Sequence, residues 1–158
     1  MSTPKYIGIF LTPRSRRELL RDFPPVHDEV HADHVTIHHD LGGVDLEGID
    51  LGSVVTFRVA GYAEDRRGQA VTVILPREIA ELVKDRVPHV TISTERGTPP
   101  AYSKELLARG ARPVPPQTYT GILDAWPRRS PVHTRFFPLA SRVADSWLRR
   151  RLRSYSRQ

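Results

Sequence analysis

Apolar and polar positions alternate with two different periods along this chain, and the places where the period changes mark its elements. The run KYIGIFL at 5–11 is short, apolar and aromatic, and predicts a buried strand. Ser15 is expected to cap a helix over RRELLRDF that sets Leu19, Leu20 and Phe23 on one side, before Pro24 and Pro25 stop it. A strand opening with HVTI follows at His34 and is expected to run to about His39. The stretch LGGVDLEGIDLG at 41–52 has the glycines and acids of a connector and lacks the lysine of a phosphate-binding loop. SVVTFRVAGYAE and QAVTVIL, on either side of DRRG, read as a β-hairpin. Pro76 then starts REIAELVKDRV, whose Ile79, Leu82 and Val83 have helical spacing. A second HVTI strand follows at His89, then a proline-rich loop with a short helix at SKELLA, then a strand TYTGILDAW.

The tetrapeptide His-Val-Thr-Ile thus occurs at 34–37 and at 89–92, a lag of 55 residues. Each copy follows a helical segment, so the order resembles a degenerate internal duplication with two related lobes. Side chains alternate across a strand, so His34 and Thr36 share one face, as do His89 and Thr91. Valine and isoleucine take the opposite, core-facing side. One such strand is ordinary, with a satisfied histidine; two copies that each present imidazole beside hydroxyl suit a cleft better than a core.

Composition narrows the picture. The chain has 158 residues, 39% of them hydrophobic, enough for one domain with a core. It has no cysteine, which excludes disulfides and thiolate metal sites and agrees with a cytoplasmic setting. No long apolar run suggests a leader or a membrane span, so a soluble protein without membrane contact is expected. The net charge of +6 is uneven: residues 127–158 carry nine arginines against Asp145, for +8, and the remainder carries −2. Two regions are therefore expected: a domain at 1–126 and a basic C-terminal extension at 127–158, helical where Leu139, Val143, Trp147 and Leu148 give it an apolar side. Arginine forks match phosphate oxygens, so the extension suits RNA phosphates; a solvated, solubilising tail accounts for it equally well.

Together, the early YIGI strand, the HVTI with a second histidine nearby, and PHVTIST leading through a glycine and prolines to SKELL resemble the two-histidine (2H) phosphoesterases. The resemblance is closest to the cyclic phosphodiesterase domain of fungal and plant tRNA ligases, and covers roughly residues 5–126. It implies an α+β, bilobal fold, with two antiparallel sheets and flanking helices around a central groove. It further implies that His34 and His89 are the catalytic imidazoles and Thr36 and Thr91 the phosphate-binding hydroxyls. The expected activity is opening of RNA-terminal 2′,3′-cyclic phosphates, to 2′-phosphate and 3′-hydroxyl, in RNA repair or processing. No cofactor and no metal are implied, and the protein is expected to act as a monomer. Two histidines that titrate near neutrality suit the chemistry independently, one activating water and one protonating the departing sugar oxygen.

By strand phase, His38 continues the face of His34 and Ser93 that of His89, so both are candidate groove residues. His39 falls where the related domains carry a further histidine, but alternation turns it away unless a bulge intervenes. Tyr6 and Tyr102 are candidates for stacking a base. Three rival readings stand beside the main one. His27, His31 and His34 are close enough in sequence to suggest a metal site, although two prolines and the strand at His34 oppose a shared helix. A non-catalytic module that grips RNA ends would use the same groove. A small cyclic nucleotide or an ADP-ribose cyclic phosphate presents the same phosphorus as RNA does.

Overall fold

A computed structural model describes residues 5–38, 49–83 and 87–126, together with the two-residue strand 136–137. Its strands are β1 (Tyr6–Leu11), β2 (Glu29–Val30), β3 (His34–His38), β4 (Val54–Glu64), β5 (Gly68–Ile74), β6 (His89–Thr94), β7 (Arg112–Trp126) and β8 (Phe136–Phe137). Its helices are α1 (Pro13–Asp22), α2 (Arg77–Ala80) and α3 (Ser103–Ala108), the last entered through a 3₁₀ turn at Pro100–Tyr102. The chain is mixed α and β with strands predominating. Among the described residues no helix is long and apolar enough to cross a membrane.

The strands form one sheet in the order β2-β6-β3-β1-β7-β4-β5, and β5 also pairs with β6, so the sheet closes on itself. Closure leaves few exposed strand edges. The hairpin read around DRRG is present as β4 and β5. The core draws Ile9, Val35, Phe57, Val71, Val90 and Leu123 from six different strands, and α1 and α2 add Leu19 and Ile79. A smaller cluster, in which Tyr102, Leu106 and Leu107 pack on Ala63 and Ala70, docks α3 on the β4–β5 hairpin.

Three local expectations are revised. Helix α1 is capped by Thr12, whose side chain accepts from the Ser15 N–H at 3.2 Å, with Pro13 opening the first turn. Ser15 Oγ instead accepts from the Thr120 N–H at 2.8 Å and ties the helix to β7. The helix expected after Pro76 closes at Ala80; Leu82 and Val83 then donate to Ile79 and Ala80 three residues back. They still pack on the core. Apolar spacing of three residues is met by tight turns as well as by an α-helix.

Strand β7 also begins earlier than expected, at Arg112, and takes in Pro113, Pro115 and Pro116. That end of β7 pairs with β4, whereas β1 covers only 121–126, so the prolines sit where one side of the strand lacks a ladder. Most of the basic extension lies outside the described residues, as does the stretch from Leu139 to Leu148; Phe136 and Phe137 pair in parallel with Val54 and Val55.

Candidate functional site

The two HVTI strands are neighbours. β3 and β6 run antiparallel with Val35 opposite Val90, and both valines are fully buried. Ile37 and Ile92 are buried with them, whereas His34, Thr36, His89 and Thr91 are half-buried. Antiparallel pairing about the valines sets His34 beside Thr91 and Thr36 beside His89, all on the face away from the core. The two histidines are then diagonal neighbours, which in a regular sheet lie roughly 7–8 Å apart.

The backbone leading into β3 is held from two sides. The His31 and Ala32 N–H groups donate to the carbonyls of Ile92 and Thr91, each at 2.8 Å, and Leu11 N–H donates to the Asp33 carbonyl at 2.9 Å. Arg16 donates twice to the His31 carbonyl, through Nε at 3.1 Å and Nη2 at 2.9 Å. Ala32 adopts φ of 57°, a left-handed conformation that alanine takes only where its surroundings impose it. This kink splits β2 from β3 and delivers His34 in its register against β6.

His89 Nδ1 lies 2.9 Å from the Val87 carbonyl. A carbonyl only accepts, so Nδ1 carries a proton and Nε2 is the basic nitrogen of the neutral ring. That arrangement lets Nε2 take a proton from water or, once charged, deliver one.

His34 sits among rings. Its centroid is 5.2 Å from that of Tyr6 and 5.6 Å from that of Phe10, its cross-strand partner. Burial, and secondarily the Asp33 carboxylate, raises the Tyr6 phenol above its ordinary range, so it stays neutral. Trp126 pairs with Tyr6 across β1 and β7, lies 5.9 Å from Phe10, and keeps 45% of its surface exposed. Between these rings Gly8 is the cross-strand partner of Thr36, and a Cβ there would lie 3.0 Å from the Val35 carbonyl oxygen and 3.5 Å from the Tyr6 ring. Its lack of a side chain keeps the sheet surface beside Thr36 low.

Several secondary candidates are placed differently from their strand phase. The β3–β1 register shifts between Thr36 and His38, so that His38 lies opposite Ile7, a core residue, and its Nδ1 is buried. His38 therefore leaves the face shared by His34 and Thr36. His39 lies outside the described residues. On β6 a second shift sets Thr91 opposite Ala70 but Ser93 opposite Gln69. Ser93 is fully buried and donates to Gln69 Oε1 at 2.6 Å, so it belongs to the packing and does not line the groove.

Tyr102 is no base platform either. It is 7% exposed, with the Arg67 guanidinium 4.3 Å above its ring, and its hydroxyl donates to Asp65. Asp65 also accepts from the N–H groups of Arg67 and Gly68 at 2.8 and 2.9 Å and from Arg109 at 2.7 Å. Desolvation opposes ionisation of Asp65, but these donors together outweigh it and hold the carboxyl well below the usual range. A depressed carboxyl stabilises the fold above its unfolded-state pKa, near 4, and that contribution is lost as pH falls toward the folded value. Asp65→Asn is expected to lower stability by about 1–2 kcal/mol at pH 7 and to flatten the fall in denaturant midpoint between about pH 5 and pH 2. An unchanged acid limb in the variant would show that the carboxylate is not held by these donors.

The three histidines of the rival metal reading are engaged separately. His27 Nε2 donates to the Asp65 carbonyl at 2.9 Å, His31 Nε2 is hydrogen-bonded to Thr94 Oγ1 at 2.9 Å, and His34 packs on the rings. Among the described residues no three histidine, aspartate or glutamate side chains are grouped to hold a metal.

Three residues of this face carried no motif. Trp126 follows Ile122 and Asp124 in strand phase and closes an apolar run, a signal available in the sequence. Gly8 and Ser103 gave none, because their neighbours Thr36 and Thr91 are 28 and 12 residues away in the chain. No family model matches the chain, and the search of curated proteins found none similar to it.

Proposed function

We propose that this protein is a metal-independent 2′,3′-cyclic phosphodiesterase of the two-histidine type, acting on RNA ends. The observation that carries the reading is the shared face of β3 and β6, where two His-x-Thr pairs meet through Val35 and Val90 with the histidines on a diagonal. A gap of roughly 7–8 Å admits a phosphoryl group between two ring tips. One imidazole takes a proton from water as its oxygen attacks phosphorus; the P–O3′ bond breaks, and the other imidazole protonates O3′. The products are a 2′-phosphate and a 3′-hydroxyl, the outcome implied by the likeness to tRNA ligase domains. Thr36 and Thr91 donate to the non-bridging oxygens, where charge is held during displacement. On this reading the closed sheet comprises two lobes that meet along β3 and β6, with the groove over that seam.

RNA is favoured over a bare cyclic phosphate by the rings beside His34. Trp126 offers an exposed aromatic surface for a base, with Tyr6 and Phe10 packed behind it. Trp126→Ala is expected to raise KM for an RNA 2′,3′-cyclic phosphate about tenfold, in line with the value of one stacked base. Ribose 2′,3′-cyclic phosphate, which has no base, should be turned over equally by both proteins. Equal losses on the two substrates would remove the stacking role.

The reading itself is tested by incubating the full chain with a short RNA bearing a 2′,3′-cyclic phosphate, chelator present, and identifying the phosphate position in the product. Hydrolysis to a 2′-phosphate is expected. Turnover that needs added metal would exclude the proposed chemistry. Tight binding of the RNA without turnover would favour an end-binding module.

A further inference from the structure

The two HVTI copies are identical in sequence but have different surroundings. Thr36 faces Gly8 across the sheet, whereas Thr91 meets a side chain from outside it. Ser103, at the start of α3, is fully buried, and its Oγ lies 2.8 Å from Thr91 Oγ1. Thr91 is also 3.3 Å from the Pro100 carbonyl, a long contact to an oxygen that already accepts the Ser103 backbone N–H.

The direction of the bond between the hydroxyls decides what Thr91 can do. Each hydroxyl has one proton and two acceptor positions. A Thr91 that donates to Ser103 has committed its proton and meets a phosphate oxygen as one acceptor against another. A Thr91 that accepts from Ser103 can give up the long contact to Pro100 and donate to the phosphate. With a phosphoryl group in the groove, the chain from Ser103 O–H to Thr91 Oγ1, and from Thr91 O–H to a non-bridging oxygen, satisfies every member. Each bond in such a chain polarises the next.

We propose that Ser103 is a positioning residue that donates to Thr91 and so orients the Thr91 hydroxyl toward the substrate phosphate. The inference rests on the phosphodiesterase reading and on Thr91 as a phosphate donor in it. It makes the two threonines unequal, with the larger share of transition-state donation falling to Thr91.

The test is a double-mutant cycle on RNA 2′,3′-cyclic phosphate with wild type, Ser103→Ala, Thr91→Ala and the double variant, repeated with both phosphorothioate diastereomers. Thr91→Ala should lower kcat about a hundredfold, as loss of one preorganised donor does. Ser103→Ala should lower it about tenfold, and the double variant should match Thr91→Ala, because Ser103 acts only through Thr91. Sulfur accepts hydrogen bonds poorly, so one diastereomer should be slow for wild type, and that penalty should shrink in Ser103→Ala and in Thr91→Ala alike. A merely structural serine would not move the diastereomer preference. Ser103→Cys, close in size but a weak donor, should fall between wild type and Ser103→Ala, and it carries the test if the alanine variant folds poorly.

Ser103→Ala and Ser103→Cys at the wild-type rate, with Thr91→Ala impaired, would overturn this inference and leave the phosphodiesterase reading intact. Multiplying losses in the double variant would do the same. A wild-type chain that hydrolyses no cyclic phosphate would overturn both.

Discussion

His34→Ala and His89→Ala are each expected to lower kcat on RNA 2′,3′-cyclic phosphate by about 10²- to 10⁴-fold, the range for a lost general acid or base. The loss should fall mainly on kcat, because the threonines and the ring cluster still bind the phosphate and the nucleoside. His34→Ala,His89→Ala together should lose far less than the product of the two single effects, since the histidines act as a unit in one displacement. Both single variants should fold: each histidine is half-buried on the face away from the core, and Val35 and Val90 still hold β3 to β6. Far-ultraviolet circular dichroism and a denaturant midpoint close to wild type would establish that. The pH profile adds an independent check. A mechanism with one imidazole neutral and the other charged gives a bell-shaped profile, and each alanine variant should lose one limb. Full activity in either alanine variant, with the fold intact, would exclude a paired-histidine mechanism.

Gln69→Leu should produce the largest loss of stability among the polar positions described, about 2–4 kcal/mol, while leaving kcat near wild type at temperatures where the variant stays folded. Gln69 is 1% exposed and makes four hydrogen bonds. Its amide nitrogen donates to the Pro24 carbonyl at 2.9 Å and to Tyr62 Oη at 3.0 Å. Its oxygen accepts from the Val26 N–H at 3.1 Å and from Ser93 Oγ at 2.6 Å. Leucine fills similar space but strands several of these partners away from water, and each such group costs about 1–3 kcal/mol. The Tyr62 phenol, pushed up to about 12 by burial and then by its bond to Glu64, stays neutral and cannot make up the loss by ionising. Urea unfolding reports the outcome. A midpoint shift worth less than about 1 kcal/mol would mean that water or relaxation of residues 24–26 satisfies the stranded groups.

The same variant bears on where the site ends. Ser93 belongs to the Gln69 network, so disturbing that network should not move KM. A large KM effect would return Ser93 to the groove.

How much of this was legible before the fold is clearest from particular residues. The side of the sheet taken by His34, Thr36, His89 and Thr91 follows from alternation alone, because neighbouring residues of a strand point to opposite faces whatever the strand pairs with. The hairpin around Asp65 was equally readable, since polar turn residues between two β-rich runs act locally. The helix after Pro76 was overextended because Leu82 and Val83 keep their apolar spacing through tight turns. The early start of β7 was missed because three prolines argue against a strand, unless it is known that β1 does not reach that part of it.

His38 and Ser93 mark the limit of strand phase most sharply. Both lie just beyond a register shift, and an extra residue in one strand changes the face of everything after it. Whether a shift occurs depends on the partner strand, Tyr6–Leu11 in one case and Gly68–Ile74 in the other. The sequence by itself determined the local patterns: two matched strands, the residues that share their polar face, and the hairpin between them. Only the tertiary structure decided that these strands are adjacent, that β5 closes on β6, that Trp126 joins the rings beside His34, and that Ser103 reaches Thr91. The physical reason is range. Alternation and turn chemistry are set by covalent neighbours, whereas register, closure and contacts between hydroxyls are set by segments that meet only when the core packs.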